Sequence, residues 1–269
     1  IAVDIGTSSL RAVLFDEAGA VLRIARRDSA PQYLEGGRVE QEPSAWTTLV
    51  PEVVRDAAAL AEVQGRRVLA LSLTAQRSSV IPVGADGAPL MRAFMWQDTR
   101  TEGLCARMGD RHRRVYELSG LRITPVFSAI KMTWLREDEA ELFGRVWKMP
   151  GIQDYVIHDL TGRWVTDRSL ASRTNLYNLR TGDWDDELLD IFGVRRSMLC
   201  DLIDVGSIAG TLTAEAGGRL RLPAGTPVVS AGGDQQCAAL GLGLTGPGKM
   251  IANTRSEEHT SELQSPNTI

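Results

Sequence analysis

Three alternating stretches at the start of the chain constrain the fold more than any other feature. "IAVDIG", "RAVLFDE" and "VLRIARRD" alternate apolar and polar residues within positions 1–28 and are separated by short Gly-containing turns. Such alternation predicts strands with one buried face, and tight turns predict an antiparallel three-stranded meander. Further along, "RVLALSLTA" (67–75) is continuously apolar, as expected of a strand buried on both faces in the middle of a sheet.

Helical patterns interleave with these strands. The spacing of apolar residues predicts a helix from about Ser44 to Val63, with Ser44 as N-cap after Pro43. Further helices are expected within 128–143, within 151–162, where Gly162 ends the pattern, and within 185–193. Strands and helices alternate up to Thr254, which predicts an α/β domain with a mixed sheet and helices on both faces.

Composition excludes several classes of function. A hydrophobic content of 43% and a net charge of -4 are typical of a globular protein. The sequence has no basic stripe of the kind that would predict nucleic-acid binding. No apolar run approaches the ~20 residues that span a membrane. The three cysteines and three histidines are scattered, which argues against a zinc site or a Ser-His-Asp triad. The cysteines fit reduced thiols in the cytoplasm, and the start inside a strand-like run leads us to expect further residues before Ile1.

The stretch "VDIGTSSLRAV" combines groups that suit phosphate and a cation. Asp4 ends a predicted strand, Gly6, Thr7 and Ser8 form a turn, and Arg11 follows. Backbone N–H groups of a Gly turn, hydroxyls and an arginine can bind phosphate oxygens, while the carboxylate can hold Mg²⁺. The alternative is a plain hairpin with a Ser/Thr-rich turn.

A second motif, "SAGGDQQCAALG", places Asp234 and Gln235 where a predicted strand passes into a helix. A carboxylate at that position can take a proton from a substrate hydroxyl. The alternative is an ordinary helix N-cap, for which Asp is a preferred residue.

Two further stretches, "TAQRSS" and "FMWQDTR", place polar side chains just after strand-like runs. Gln76, Arg77 and Trp96 are the candidates there, since strand ends are where open α/β sheets bind ligands. A tryptophan face with a few fixed polar groups suits a polyhydroxy ligand. The alternative is a buried tryptophan with Asp98 and Arg100 on the surface.

Taken in order, these motifs resemble the N-terminal domain of the FGGY carbohydrate kinases. The resemblance is carried by "DIGTSSLRAVLFD", "TAQR", "WQDTR", "FSAIKMTWL", "VTDRSLASRT" and "AGGDQQCAALG" and covers residues 1–254. It implies an actin-like, ribonuclease-H-like α/β domain. It also implies ATP- and Mg²⁺-dependent phosphorylation of a sugar or polyol in a cleft between two such domains. Oligomeric state stays open, a homodimer or higher oligomer included.

The resemblance also implies roles for individual residues. Asp234 matches the catalytic base, and Asp4 together with Asp234 matches the Mg²⁺-associated carboxylates. The phosphate-facing positions are Gly6, Thr7, Ser8 and Arg11. The substrate contacts are Gln76, Arg77, Trp96, Asp234 and Gln235.

Two positions depart from the glycerol kinase pattern within this family. Gln-Arg-Glu is replaced by Gln76-Arg77-Ser78, and Pro-Tyr-Phe by Pro125-Val126-Phe127. A carboxylate and a phenol that would bind glycerol hydroxyls are therefore lost, and sites built to bind hydroxyls discriminate strongly through such groups. We expect a sugar or polyol other than glycerol.

The chain changes character after Thr254. Residues 255–265, "RSEEHTSELQS", resemble no part of the family but match the translation of a common sequencing-library adapter. We expect 255–269 to be non-native and disordered, the alternative being a natural polar tail. The family pattern continues with a second, nucleotide-binding domain, so we expect this chain to be inactive alone.

Two other classes of function stay open. One is a non-catalytic sugar-binding or regulatory member of the actin-like superfamily, and the other is a chaperone- or actin-type ATPase. The presence of Asp4, Thr7, Arg11 and Asp234 together argues against the first, and the sugar-kinase motifs argue against the second.

Overall fold

The computed structural model describes residues 1–250 and Ala252. The first compact unit is Ile1–Asp234, and a second unit starts at Gln235. Of the predicted domain 1–254, Ile251, Asn253 and Thr254 lie outside the described residues, as does the whole of the predicted tail 255–269. Within the described part, no helix is both long and apolar enough to cross a membrane.

Thirteen strands and ten α-helices alternate along the described residues. The strands are β1 (Ala2–Ile5), β2 (Ser9–Phe15), β3 (Val21–Asp28), β4 (Gln32–Tyr33), β5 (Val39–Gln41), β6 (Leu71–Ala75), β7 (Ala93–Phe94), β8 (Val165–Asp167), β9 (Tyr177–Asn178), β10 (Asp183–Trp184), β11 (Asp201–Ile203), β12 (Ile208–Thr211) and β13 (Pro227–Gly233). The helices are α1 (Ser44–Val63), α2 (Glu102–Arg107), α3 (His112–Ser119), α4 (Ser128–Asp138), α5 (Ala140–Arg145), α6 (Ile152–Thr161), α7 (Arg168–Ala171), α8 (Asp186–Phe192), α9 (Ala214–Leu220) and α10 (Asp234–Gly241).

The main sheet has six strands in the order β12-β13-β6-β1-β2-β3. The first three strands of the chain pair antiparallel, so the predicted meander is confirmed. β6 pairs in parallel with β1 on one side and with β13 on the other, which confirms a central strand. The α/β class and the mixed sheet are therefore confirmed, and the three parallel strands are the ones that point towards the predicted site.

Two hydrophobic cores lie in the first unit. The sheet core contains alternate residues of the six strands, such as Val3, Leu10 and Leu73, packed under α1, α6 and α9. The helical core is built around α2, α3, α4 and α8, with Phe192 among its fully buried residues. After β6 the chain alternates between the two cores, since Val80 and Phe94 belong to the helical core whereas Ile81 and Met95 belong to the sheet core.

Local predictions hold with two corrections. Helix α1 has the predicted bounds, but Pro43 is the N-cap residue and Ser44 is already helical. Pro43 itself has helical dihedrals, because its ring fixes φ in the helical range, and no side chain caps the helix. The pattern within 128–143 forms two helices, interrupted at Glu139. Gly162 ends α6 in a left-handed conformation, as predicted.

The three cysteines form no disulfide within the described residues, as expected from their spacing. Cys105 and Cys200 are buried, whereas Cys237 is partly exposed. Burial raises the pKa of both buried thiols, so they remain protonated and unreactive at neutral pH.

Candidate active site

Three parallel strands end at one edge of the main sheet. Ile5 of β1 and Gly233 of β13 both lie opposite Ala75 of β6 in the strand register. The segments that follow these strands therefore begin side by side, at the edge where open α/β sheets bind ligands. The predicted site residues Gly6, Arg77 and Asp234 come directly or within two residues after those strand ends.

The turn after β1 is joined to the next strand end by hydrogen bonds. The Gly6 N–H donates to the Ser9 carbonyl over 3.1 Å. A Cβ at Gly6 would lie 3.0 Å from that oxygen, so the turn needs glycine. Thr7 Oγ1 donates to Gln76 Oε1 over 2.8 Å, and Trp96 Nε1 donates to Thr7 Oγ1 over 3.2 Å. Three predicted site residues, Thr7, Gln76 and Trp96, thus form one network, in which the Thr7 hydroxyl proton is engaged by Gln76.

Three other predicted site residues, Ser8, Arg11 and Gln235, are not described as part of this hydrogen-bond network. The Ser8 side chain is exposed, and its carbonyl accepts from the Ser29 N–H over 3.0 Å. The Arg11 guanidinium lies 3.8 Å from Asp4 Oδ2, directly across the β1–β2 pair. Gln235 is exposed and is the first residue of the second unit.

Two carboxylates interact at this edge. Burial is the main cause that raises the pKa of Asp4, the Arg11 charge lowers it, and the negative charge of Asp234 raises it further. The charge of Asp234 therefore disfavours the ionised form of Asp4. Among the described residues, no group of three or more His, Cys, Asp or Glu could hold a metal. A pair of carboxylates still fits Mg²⁺, which proteins bind through one or two carboxylates together with substrate phosphates and water.

Arg77 interacts electrostatically with two carboxylates, those of Asp234 and Asp167. Burial lowers its pKa, while the negative charges of Asp234 and Asp167 raise it. A half-buried guanidinium flanked by carboxylates is held in place and can still donate to ligand hydroxyls.

The strand that leads to Asp234, β13, is linked by hydrogen bonds to Asp167, a residue without a role in the sequence analysis. Asp167 Oδ1 accepts from Ser169 Oγ over 2.6 Å, and Ser169 Oγ accepts from the Gly233 N–H over 2.9 Å. Asp167 Oδ2 accepts from Ser230 Oγ over 2.7 Å. These bonds hold β13 on both sides of its irregularity between Ser230 and Gly232. The motif "VTDRSLASRT", quoted for the resemblance, was the available signal.

Lys131 was also missed. Its Nζ is fully buried and donates to the carbonyls of Pro125 and Val126 over 2.5 and 2.7 Å, with that of Phe127 at 3.5 Å. Burial lowers the pKa of Lys131 to about 7, although the charge of Asp98 opposes that shift. This lysine fixes the loop that contains one of the two departures from the glycerol kinase pattern. A lysine inside the apolar run "SAIKMTWL" was the sequence signal.

The residues of the motif "WQDTR" lie in different places, Trp96 at the candidate site and Asp98 and Arg100 in the protein interior. Trp96 contacts Thr7, as described, but Asp98 and Arg100 are buried instead of lying on the surface. The Arg100 guanidinium donates to Asp98 Oδ2 and to Glu40 Oε1, each over 2.7 Å, and lies 4.4 Å from the centroid of the Phe94 ring. The surface alternative for Asp98 and Arg100 is therefore wrong, and both belong to a structural ion cluster.

A mixed sheet with helices, with two carboxylates and a glycine turn at its parallel strand ends, places the chain among domains of the actin-like ATPase fold. The comparison with known proteins gives the family. Residues 1–241 match the N-terminal domain of the FGGY family of carbohydrate kinases, and the chain belongs to that family.

Relatives and solved structures agree with this assignment. The glycerol kinase of Bradyrhizobium diazoefficiens is 36% identical over 261 residues, which are 93% of this chain and 51% of the relative. A xylulose kinase structure from Rhodospirillum rubrum superimposes with a TM-score of 0.88 at 25% identity, covering 91% of this chain and 51% of the other. A Plasmodium falciparum glycerol kinase solved with ADP gives 0.83 at 25% identity, covering 89% and 49%. The chain spans about half the length of the curated relatives it matches.

Proposed function

We propose that this chain is the acceptor-binding domain of an ATP-dependent kinase that phosphorylates a hydroxyl of a sugar or polyol. The observation that carries the proposal is the strand-end edge, where Asp234 lies within the electrostatic reach of Asp4 and Arg77 and at the same edge of the sheet as the Gly6–Thr7 turn. The family membership and the glycerol, xylulose and gluconate kinases among similar proteins support it.

The proposed chemistry assigns one role to each group. The Asp234 carboxylate takes the proton of the acceptor hydroxyl as its oxygen bonds to the γ-phosphorus, and ADP leaves with the electrons of the broken P–O bond. Gln76, Arg77 and Trp96 orient the acceptor. Mg²⁺, when held by Asp4 and Asp234, would neutralise charge on the phosphate oxygens.

The phosphate turn contributes mainly through its backbone. Because the Thr7 hydroxyl donates to Gln76 and the Gly6 N–H donates to the Ser9 carbonyl, the N–H groups of Thr7 and Ser8 and the Arg11 guanidinium are the donors proposed for phosphate oxygens. Thr7, in turn, links that turn to the acceptor side through Gln76 and Trp96. A network shared by both substrates' sites favours their correct relative position.

Domain organisation is part of the proposal. We propose that the domain extends to Thr254, that 255–269 is foreign sequence, and that a second domain supplies most nucleotide contacts. Sequencing the source gene across the codon for Thr254 tests this. A reading frame that continues into a second domain supports the proposal, and a frame that ends with this tail contradicts it.

An activity screen tests the function. The complete protein that carries this domain is incubated with ATP, Mg²⁺ and a panel of sugars, polyols and sugar acids, and ADP release is measured. We expect turnover with at least one acceptor by the complete protein and none by the 269-residue chain. If the complete protein binds an acceptor but never releases ADP, the kinase proposal is wrong and a sugar-binding module is the better description.

A further inference from the structure

Arg173 lies beside the residues proposed to bind the acceptor. Its carbonyl accepts from Ser78 Oγ over 3.3 Å, and its guanidinium carbon lies 4.6 Å from the centroid of the Phe127 ring. Its charge also interacts with that of Arg77. Arg173 therefore contacts both segments that depart from the glycerol kinase pattern, the one at Ser78 and the one at Val126–Phe127.

The charge of Arg173 is not balanced within the described part of the chain. Its side chain makes no ion pair or hydrogen bond there, and its Nε is buried without an acceptor. Burial, followed by the charge of Arg77, lowers the pKa of Arg173. A buried donor without an acceptor destabilises the folded protein, so the site favours any ligand that supplies an acceptor.

Arg77 differs from Arg173 in this respect. The charges of Asp234 and Asp167 oppose its positive charge, whereas the causes acting on Arg173 include no carboxylate. Ser78, in the position that carries a glutamate in the glycerol kinase pattern, contributes no charge. Its backbone is held in the left-handed region at φ +70°, and its side chain is buried. Of the two arginines, Arg173 is thus the one whose positive charge is not opposed by a carboxylate.

We propose that the acceptor is a sugar acid, whose carboxylate accepts hydrogen bonds from Arg173 while one of its hydroxyls lies at Asp234. This assignment rests on the proposed kinase function and names its substrate class. A carboxylate carries one negative charge, which matches one unbalanced arginine, and guanidinium binds carboxylate through paired N–H donors. A phosphate dianion would need the charge of Arg77 as well, which Asp234 and Asp167 already oppose. The carboxylate is unchanged in the reaction, since the bond forms at the hydroxyl oxygen.

Matched acceptors test the assignment without any substitution. In the complete protein, kcat/KM is measured for D-gluconate against D-glucitol, D-xylonate against xylitol, and D-galactonate against galactitol. Each pair differs only in a carboxylate against a hydroxymethyl group. We expect the acid of the preferred pair to exceed its alditol by roughly 10–100-fold, the contribution of a hydrogen bond to a charged group.

Variants locate the effect at Arg173. Arg173→Gln is expected to lower kcat/KM for the preferred acid by roughly 10–100-fold and for its alditol by less than about 3-fold. Arg173→Lys keeps the charge and is expected to restore part of the loss. Arg180→Gln, at an exposed arginine, serves as the control and should leave both values unchanged.

The outcomes separate this inference from the kinase proposal. Turnover confined to neutral sugars or alditols, a preference for D-glucitol 6-phosphate over the acids, or an equal loss for acid and alditol in Arg173→Gln would each overturn the inference alone. Absence of turnover with every acceptor would overturn the kinase proposal and this inference with it. Should Arg173→Gln fail to fold, the wild-type acid-to-alditol ratios still decide.

Discussion

The six strands of the main sheet and the region of the helical core bury different kinds of groups. Val3, Leu10 and Leu73 in the sheet core are fully buried and apolar. The region of the helical core buries charge as well, since Lys131 and Asp98 are both fully buried and Arg100 is nearly so. The apolar core holds the strand ends in register, whereas the charged groups position the loops that approach them. The acceptor side of the proposed site depends on the second kind of contact.

The largest effect that would sharpen this comparison is expected for Asp98→Asn. The substitution removes the carboxylate that pairs with buried Arg100 and accepts from the Val39 N–H over 2.7 Å. Breaking a buried ion pair by removing one partner destabilises by about 3–5 kcal/mol. Urea unfolding of the chain at pH 7 measures the loss of unfolding free energy.

Asp56→Asn is the matched control on the sheet side. Asp56 pairs with Arg27 on the surface, so the expected loss is about 0–1 kcal/mol. Equal losses for the two variants would contradict the distinction between the two regions.

A pH-dependent effect is expected for Asp154→Asn at the boundary between the cores. Burial raises the pKa of Asp154 from its ordinary value of 3.8 to about 7, and its Oδ1 has no hydrogen-bond partner among the described residues. The folded state therefore holds the proton more tightly than the unfolded state. This contribution to wild-type stability falls as pH rises from about 4 to about 7 and stays low above that.

Asparagine copies the neutral form, so Asp154→Asn should match wild type near pH 4 and exceed it by about 2–4 kcal/mol at pH 8. Lys131, whose pKa is lowered, makes the opposite contribution, with stability that rises as pH increases above about 7. Both proteins share that contribution, and it cancels in the difference. Urea titrations at several pH values measure it, and a difference independent of pH would show that Asp154 is not the cause.

The smallest effect is expected for Ser169→Ala, which removes a hydrogen bond to the last residue of β13, directly before Asp234. The substitution leaves the Gly233 N–H without its acceptor and removes one donor from Asp167, a loss of about 1–2 kcal/mol. Amide exchange at Gly233 should accelerate relative to the wild-type chain. Ser172→Ala, which removes only a bond to the Ser169 carbonyl, is the control. Unchanged protection at Gly233 in Ser169→Ala would rule out this support.

The elements of the sheet core could be predicted from the sequence because they repeat a simple period. The β1–β3 meander, β6 and α1 each show their pattern over several residues. The two-residue strands β9 and β10 have no length in which a period could appear. Asp98, Arg100, Lys131 and Asp167 could not be placed, since a buried charge is identified by partners that are distant in sequence. Arg100 and Glu40, for example, are joined across sixty positions.

The proposed site likewise contains residues that could be predicted from the sequence and residues that could not. Thr7, Gln76, Trp96 and Asp234 could be proposed from motifs at strand ends, because parallel strands bring their carboxyl ends to one edge. Asp167 and Arg173 lie in a quoted motif, but their contacts with Gly233 through Ser169 and with Phe127 depend on tertiary packing. The sequence therefore indicated the residues proposed to contact the substrates better than the residues that pack around them.

The most direct test of the central claim is the kcat of Asp234→Asn in the complete protein, measured with its preferred acceptor. Loss of a general base is expected to lower kcat by about 10²–10⁴-fold, with near-UV circular dichroism unchanged. Asp190→Asn, at an exposed carboxylate on α8, should retain wild-type kcat. A kcat for Asp234→Asn within about 3-fold of wild type, below the lower bound for general-base catalysis, would contradict the account.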